Sequence, residues 1–340
     1  MAITRVCVTG GSSYLGSFLV KKLLEKGYTV HATLRDLGDE VKVGLLKNLP
    51  YADSRLVLFQ ADIYNPNEFS PAILGCHTVV HVATPLLHQP GDSPYKSTTE
   101  AAIAGVKRIV ECCIASGTVK RLVYTATVMA AAPLKDDGSG FKDAMDETCW
   151  SPLNFSCPYS QDFLHEYVHS KTLSEKEALR CNDDDEGRKL EVVSLACGLV
   201  GGDTIQPWPA ESLLVMISQF IKDKRRYGVL RFLEELMGKV PIVHIEDVTS
   251  AFILCIETEG LIGRFLCASD FLKTAEIGSI LKTTCCSPDD DDDEFMEDSK
   301  RDIRWGSTKL EEFGFQYKYD AKMILQGSVQ CFQKSQQNLL

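Results

Sequence analysis

Of the eleven tyrosines in this sequence, Tyr167 is the one followed four residues later by a lysine, in the run Tyr167-Val-His-Ser-Lys171. On a helix that spacing puts both side chains on one face. A phenol has an unperturbed pKa near ~10 and exchanges protons poorly near neutrality unless its anion is stabilised. Lys171 supplies a cation for this, and bringing the phenol down to about pH 7 takes roughly 4 kcal/mol of differential interaction. Tyr167 is therefore a candidate acid and base for a substrate oxygen. The plain alternative is two exposed residues on a helix.

A second stretch speaks to a cofactor. Val6-Cys-Val-Thr-Gly10-Gly11-Ser12-Ser13-Tyr14-Leu15-Gly16 is a short apolar run, a glycine-rich turn and the opening of an amphipathic segment that reaches Lys26. A phosphate is held well where a helix begins, because unpaired N–H groups and the positive end of the helix dipole point at it. Gly10 makes the turn out of the strand, and Gly16 lets helix and strand pack closely. Ser13 stands where a further glycine is usual, with Gly11 displaced toward the strand. Either the Ser13 hydroxyl adds a hydrogen bond to a pyrophosphate or the loop holds the cofactor less closely.

The elements around these residues read as alternating strands and helices. Thr29–Leu34 is a second strand ending in Arg35-Asp36 and a polar loop with Lys42. The end of that strand meets the adenosine ribose, so Arg35 and Lys42 favour the extra phosphate of NADP, although Asp36 could accept ribose hydroxyls instead. Leu56–Gln60 is a third strand, followed by Asp62, a candidate partner for the adenine amino group. A helix over 67–74 leads to a fourth strand, Thr78–Pro85, whose loop lines the cofactor. A helix over 97–116 leads to a fifth strand over 121–128. The chain is irregular from 130 to 158, and a helix over 159–182 ends in a solvated acidic turn, 182–187. Leu190–Ala196 is a sixth strand. This alternation implies right-handed crossovers and an α/β fold with a Rossmann-type doubly wound parallel sheet.

Past residue 200 the alternation fades into a smaller mixed α/β lobe. A helix over 211–221, a segment Val240–Asp247 opening another helix and a strand over 263–268 are its clearest pieces. Residues 1–200 thus form the NADP-binding domain, with some later segments returning to it, and 201–340 form mainly a substrate-binding lobe. The acidic run Asp289–Glu294 reads as hydrated carboxylates rather than a metal site.

Composition excludes several classes. With 340 residues, 44% hydrophobic and 24% charged, the chain can bury a large core. A net charge of -11 without a basic patch argues against a nucleic-acid partner. No apolar run reaches membrane-spanning length, and Met1 leads directly into the first strand without a secretory signal, which points to a cytoplasmic protein. Thirteen scattered cysteines, an odd number, read as reduced thiols, and no zinc-like spacing appears. A small-molecule substrate and a monomer or homodimer are the expectation.

Several motifs together give a specific likeness. Val8-Thr-Gly10, Ala32-Thr-Leu-Arg-Asp36, His81-Val-Ala-Thr-Pro85, Asp146-Glu-Thr-Cys-Trp-Ser151, Tyr167-x-x-x-Lys171-Thr-Leu173, Val243-His-Ile-Glu-Asp-Val248 and Phe313-Gly-Phe-Gln-Tyr-Lys318 span nearly the whole chain. In them the sequence resembles the plant dihydroflavonol reductase, anthocyanidin reductase and vestitone reductase group of extended short-chain dehydrogenases/reductases. The resemblance implies an NADPH-dependent reductase of a phenolic plant metabolite, with Tyr167 and Lys171 as the catalytic pair. By position it assigns Arg35 and Lys42 to the 2′-phosphate and Asp62 to adenine. It extends the NADP(H) contacts to Gly10, Ser12, Ser13, Tyr14, Leu15, Gly16, Ile63, Val82, Ala83, Thr84, Thr125, Lys171, Ala196, Gly198 and Val200. On the substrate side it implies Pro85, Met129, Ala132 and Tyr167.

The sequence departs from that group at informative places. Thr127 takes the position of the family's catalytic serine, keeping the hydroxyl but adding a methyl and a stiffer χ1. Thr125, on the same strand face, is the less suited substitute. Ala132 replaces the Asn or Asp that contacts a flavonoid B-ring, and Met129–Pro133 makes a smoother apolar wall. Ala196-Cys-Gly-Leu-Val200 lacks the usual proline beside the nicotinamide. The expected activity is reduction of a carbonyl or hemiacetal of an aromatic specialised metabolite, flavonoid-like or alkaloid-like, or oxidation of the corresponding alcohol. The alternatives are a nucleotide-binding sensor without hydride transfer and a non-redox cyclase or lyase on the same scaffold.

Overall fold

Val6, Cys7 and Val8 are fully buried, which makes the first strand an interior one. In the computed structural model, residues 4–85, 94–135, 140–183, 190–285 and 301–337 are described. The chain runs β1 (Arg5–Thr9), α1 (Tyr14–Glu25), β2 (Thr29–Leu34), α2 (Glu40–Lys47), α3 (Ala52–Arg55), β3 (Leu56–Gln60), α4 (Ser70–Ile73), β4 (Thr78–His81), α5 (Thr98–Ala115) and β5 (Arg121–Thr127). It continues through β6 (Ala144–Met145), α6 (Asp162–Leu179), β7 (Glu191–Cys197), β8 (Leu199–Gly201), α7 (Glu211–Met216), α8 (Lys224–Met237), β9 (Val240–His244) and α9 (Ile245–Glu257). Last come β10 (Gly263–Cys267), β11 (Asp270–Leu272), α10 (Thr274–Cys285), β12 (Arg304–Trp305), α11 (Lys309–Glu312) and α12 (Ala321–Gln337).

The main sheet has seven strands in the order β10-β7-β5-β4-β1-β2-β3. Parallel pairing sets Val6 beside both Val30 and Thr78, and Val79 beside Leu122. The order reverses direction between β1 and β4, the crevice where a doubly wound sheet binds its ligand. The fold is thus the expected α/β Rossmann type. Two small sheets accompany it, β11-β9-β8 and β12-β6.

Two compact units divide the described chain. The first comprises Met1–Ala126, Glu166–Leu195 and Phe252–Arg264; the second comprises Thr127–His165, Ala196–Ala251 and Phe265–Leu340. Residues 127–165 thus group with the second unit, and 252–264 return to the first. The first unit packs Leu19, Leu23, Val30, Val79, Leu122 and Val192 without exposure, and the second does the same with Phe232, Ile242, Phe265 and Ile324.

Several local expectations change. The polar loop with Lys42 is helix α2, because Asp39 caps it by accepting the Lys42 N–H. The helix expected over 67–74 is a 3-10 turn, Pro66–Phe69, followed by the single turn of α4. The helix expected from 159 begins at Asp162, since Tyr159 holds a left-handed φ of 60° that a helix cannot accept. The helix over 211–221 ends at Met216, and 240–247 is strand β9 running into α9. Helices α8 and α12 lie in the stretch read only as a mixed lobe. Residues 184–187 of the acidic turn and the run 289–294 lie outside the described residues. The described cysteines are free, and no described helix is long and apolar enough to cross a membrane.

Candidate active site

The glycine turn is held to its neighbours by backbone contacts that exclude larger side chains. Gly10 has φ +67, and a Cβ there would lie 3.0 Å from the Ala83 backbone. Its N–H donates to Thr33 Oγ1 at 3.1 Å, while the Gly11 N–H donates to the Thr33 carbonyl at 2.9 Å. Gly11 is set toward the strand for a reason: a Cβ there would meet the Ala32 methyl at 2.8 Å. A Cβ on Gly16 would come within 2.2 Å of the Gly10 carbonyl oxygen.

Ser13 is the N-cap of α1, with φ -70, so no glycine is needed at this position. Its hydroxyl donates to Gly10 O at 2.8 Å and accepts the Gly16 N–H at 3.1 Å. The Ser13 hydroxyl thus closes the turn on itself, tying the Gly10 carbonyl to the first turn of α1. Beyond the cap, Tyr14 and Leu15 open the helix, where the first N–H groups have no intrahelical acceptor. Ser12 precedes the cap, half-buried.

At the end of β2, Arg35 is exposed. Lys42 is half-buried and its Nζ lies 2.7 Å from Asp39 Oδ2. Asp36 accepts the Gly38 N–H at 2.7 Å, a local turn contact. Asp62 makes a similar turn, accepting the Tyr64 N–H at 3.1 Å while its own N–H donates to Glu68. Ile63 is buried against α5, where Gly105 leaves room for it; a Cβ on that glycine would meet Ile63 Cδ1 at 2.3 Å.

The loop after β4 is fixed by a residue that the sequence reading assigned no role. Thr9 Oγ1 accepts the N–H groups of Val82 and Ala83, each at 3.1 Å. With its acceptor capacity used, Thr9 donates to His81 Nδ1 at 2.8 Å, which puts the imidazole proton on Nε2. Burial pushes the His81 pKa down to about 3, and the Lys171 charge adds to this.

Lys171 is 3% exposed. Its Nζ donates to the Thr125 carbonyl at 2.6 Å and to Thr84 Oγ1 at 3.3 Å, and sits 4.8 Å from the Tyr124 ring centroid. Burial pushes the Tyr124 phenol up, the Glu175 carboxylate adds to this, and Tyr167 contributes less. Tyr167 is half-buried, one turn before Lys171 on α6. Ile63, Thr84, Pro85, Tyr124, Lys171 and Ser174 help line a small cavity here. Thr125 therefore serves Lys171 through its backbone carbonyl.

The second unit holds the remaining candidates. Thr127, buried, accepts the Met129 N–H at 3.3 Å and caps the 3-10 turn Val128–Ala131. Its O–H proton is left to donate. Ala132 has no exposed surface, and its N–H donates to Ser151 Oγ at 2.9 Å while that hydroxyl donates to the Met129 carbonyl. Ala132 is the C-cap of that 3-10 turn, and Met129 is 7% exposed. Ala196 is fully buried. A Cβ on Gly198 would stand 2.7 Å from the Pro241 carbonyl oxygen, so this strand end needs glycine. Val200, half-buried in β8, gives its carbonyl to Ser212 Oγ.

These features fit a dinucleotide. The cradle at Gly10 and Gly16 admits no Cβ, α1 presents its N-terminus beside it, and an exposed guanidinium closes β2.

Known proteins agree. Over 327 residues the chain is 34% identical to the putative anthocyanidin reductase of Ginkgo biloba, covering 96% of this chain and 94% of that protein. It is 31% identical to the vestitone reductase of Medicago sativa over 96% of each chain. The crystal structure of vestitone reductase from alfalfa matches with a TM-score of 0.75 at 29% identity, over 98% of this chain and 99% of that one. The fold is also that of yeast methylglyoxal/isovaleraldehyde reductase Gre2, crystallised with NADPH, at a TM-score of 0.77, 18% identity and coverage of 98% and 99%. With residues 6–268 matching its model and these relatives alike from end to end, the chain belongs to the NAD dependent epimerase/dehydratase family, in the group of plant anthocyanidin, vestitone and dihydroflavonol reductases.

Proposed function

We propose that this protein is an NADP(H)-dependent oxidoreductase that reduces a carbonyl or hemiacetal carbon of an aromatic plant metabolite, or oxidises the corresponding alcohol. The observation that carries this reading is the Lys171 ammonium, buried and hydrogen-bonded to Thr125 and Thr84 one helical turn beyond Tyr167. The names of the anthocyanidin, vestitone and dihydroflavonol reductases that this chain resembles support the same chemistry.

When bound, NADPH supplies the hydride. Tyr167 donates its phenolic proton to the substrate oxygen, and Lys171 stabilises the phenolate left behind. The Thr125 carbonyl and the Thr84 hydroxyl hold that ammonium, so its position costs no reorganisation when charge develops. Thr127 offers its O–H proton as a hydrogen-bond donor to substrate. Arg35 would hold the 2′-phosphate of the bound cofactor, and the N-terminus of α1 would hold its pyrophosphate.

Replacing Tyr167 by Phe tests the assignment. NADPH binding should stay within about twofold, while kcat for carbonyl-dependent NADPH consumption should fall by roughly 10²–10⁴. Undiminished turnover would overturn it. A sensor would bind NADPH without consuming it against any carbonyl.

A further inference from the structure

Helix α6 carries a carboxylate in register with its proposed catalytic pair. Tyr167, Lys171 and Glu175 recur every four residues, so they follow one stripe of the helix. A lysine and a glutamate at that spacing can reach each other, although the glutamate-first order is the stronger one. Here both are buried, Lys171 at 3% exposure and Glu175 at none, which strengthens attraction between them. Such a pair would cancel the charge on which the Tyr167 phenol depends.

The structure gives Glu175 other partners. Its Oε1 accepts from Arg264 Nε at 2.8 Å and from Ser194 Oγ at 2.6 Å, and its Oε2 accepts from an Arg264 terminal nitrogen at 3.0 Å. Arg264, on β10, is 6% exposed. The fork matches both carboxylate oxygens at once, a geometry that lysine's single ammonium cannot reproduce. Lys171 meanwhile gives its ammonium to Thr125 and Thr84.

We propose that Arg264 is a positioning residue for the reaction: by holding Glu175 in a two-pronged pair it keeps that carboxylate off Lys171, and so preserves the ammonium charge that acts on Tyr167. The inference rests on the reading of Tyr167 as the acid.

The other titratable groups near Lys171 are accounted for. Tyr124 of β5 is held protonated by burial and then by the Glu175 carboxylate, and His81 of β4 is held neutral by burial and then by the Lys171 charge. On α6 itself, Glu166 accepts the Thr98 N–H of α5, and Glu177 pairs with Lys107 of α5 and with Arg180. Along the same helix, His165 and His169 are the other ionisable groups within a turn of Tyr167.

The test uses the full chain and three variants: Arg264→Met, Arg264→Lys and the double Arg264→Met/Glu175→Gln. The readout is the Tyr167 phenol titration, taken as the tyrosinate absorbance lost when Tyr167→Phe is added to each background. Beside it stands the pH profile of kcat. Arg264→Met should raise the phenol titration by about one pH unit, as expected for a lysine newly neutralised. Arg264→Lys should raise it by less. The double variant, with both charges gone, should return it to the wild-type position, which a merely structural role would not do.

A folded Arg264→Met protein with an unmoved titration would overturn the proposal. If that variant fails to fold, an upward shift in the double variant, or none in Arg264→Lys, overturns it instead. The enzymatic reading fails separately: a wild type that consumes no NADPH with carbonyls sinks that reading, and the phenol titration can still be measured.

Discussion

Ser13 donates its hydroxyl proton to the Gly10 carbonyl at 2.8 Å, so the residue that breaks the expected glycine pattern is the one that closes the turn. The same oxygen takes the Gly16 N–H. Ser13→Ala should cost about 1 kcal/mol and Ser13→Gly only a few tenths, the usual range for an N-cap. Denaturant midpoints measure this. NADPH affinity of Ser13→Gly should stay within about twofold; a clear loss would show that the hydroxyl contacts the cofactor after all.

Arg35 and Lys42 differ in what they are free to do. Arg35 is exposed at the end of β2, whereas Lys42 Nζ is already 2.7 Å from Asp39. Arg35→Ala should weaken NADPH about 10- to 100-fold, the loss of one charge-assisted contact, and leave NADH nearly unchanged. Lys42→Ala should weaken NADPH less. Fluorescence titration with both cofactors distinguishes them, and equal losses for NADPH and NADH from Arg35→Ala would count against a 2′-phosphate contact.

Thr127 uses its hydroxyl twice under the proposed function, accepting the Met129 N–H and donating to the substrate. Thr127→Val should therefore lower kcat by about 10²-fold, the loss of one oxygen-stabilising donor, with smaller effects on KM. Thr127→Ser should retain most activity. Steady-state kinetics on the pair check this, and a Val variant as active as the Ser variant refutes the role.

His81 should make the protein sensitive to mild acid. Its pKa in the fold is about 3, against about 6.5 for an unfolded histidine. The unfolded chain therefore binds the extra proton first as pH falls. Stability from the neutral imidazole is complete above about pH 6.5 and is lost on the way down toward about pH 3, at up to about 1.4 kcal/mol per pH unit. His81→Asn should flatten that slope, measured by urea midpoints from pH 7 to pH 4. Parallel slopes in the two proteins would exclude His81 as the cause.

Much of the first unit was legible because its physics is local. Strands β2 and β3 end where the sequence reading ends them, at Leu34 and Gln60, since apolar runs bounded by polar turns mark both limits. Helix α2 was not legible: only Leu46 among its residues is buried, so no apolar stripe announces it, and the Asp39 cap decides it. Helix α8 hid for the opposite reason. It buries Arg231 and Glu234 along with Leu230 and Phe232, and charges inside a core mimic a solvated face.

The site divides in the same way. Tyr167, Lys171 and the glycine turn are marked by spacing within a single element. Thr9 with His81, Ser151 with Ala132 and Arg264 with Glu175 are separated by 72, 19 and 89 residues. No local pattern joins partners so distant, and only the folded chain pairs them. Thr9 had one faint signal, a hydroxyl at the last position of a buried strand just before the turn.

Because α6 advances about 100° per residue, the stripe from Tyr167 to Glu175 behaves as a ruler graduated in single residues. An insertion or deletion anywhere between 167 and 175 would swing Glu175 away from Arg264 or Lys171 away from Thr125, even with every side chain retained. Contacts within the tract from 130 to 158, such as Ser151 on the Ala132 N–H, depend on no helical phase. Helix α6 tolerates only replacement in place.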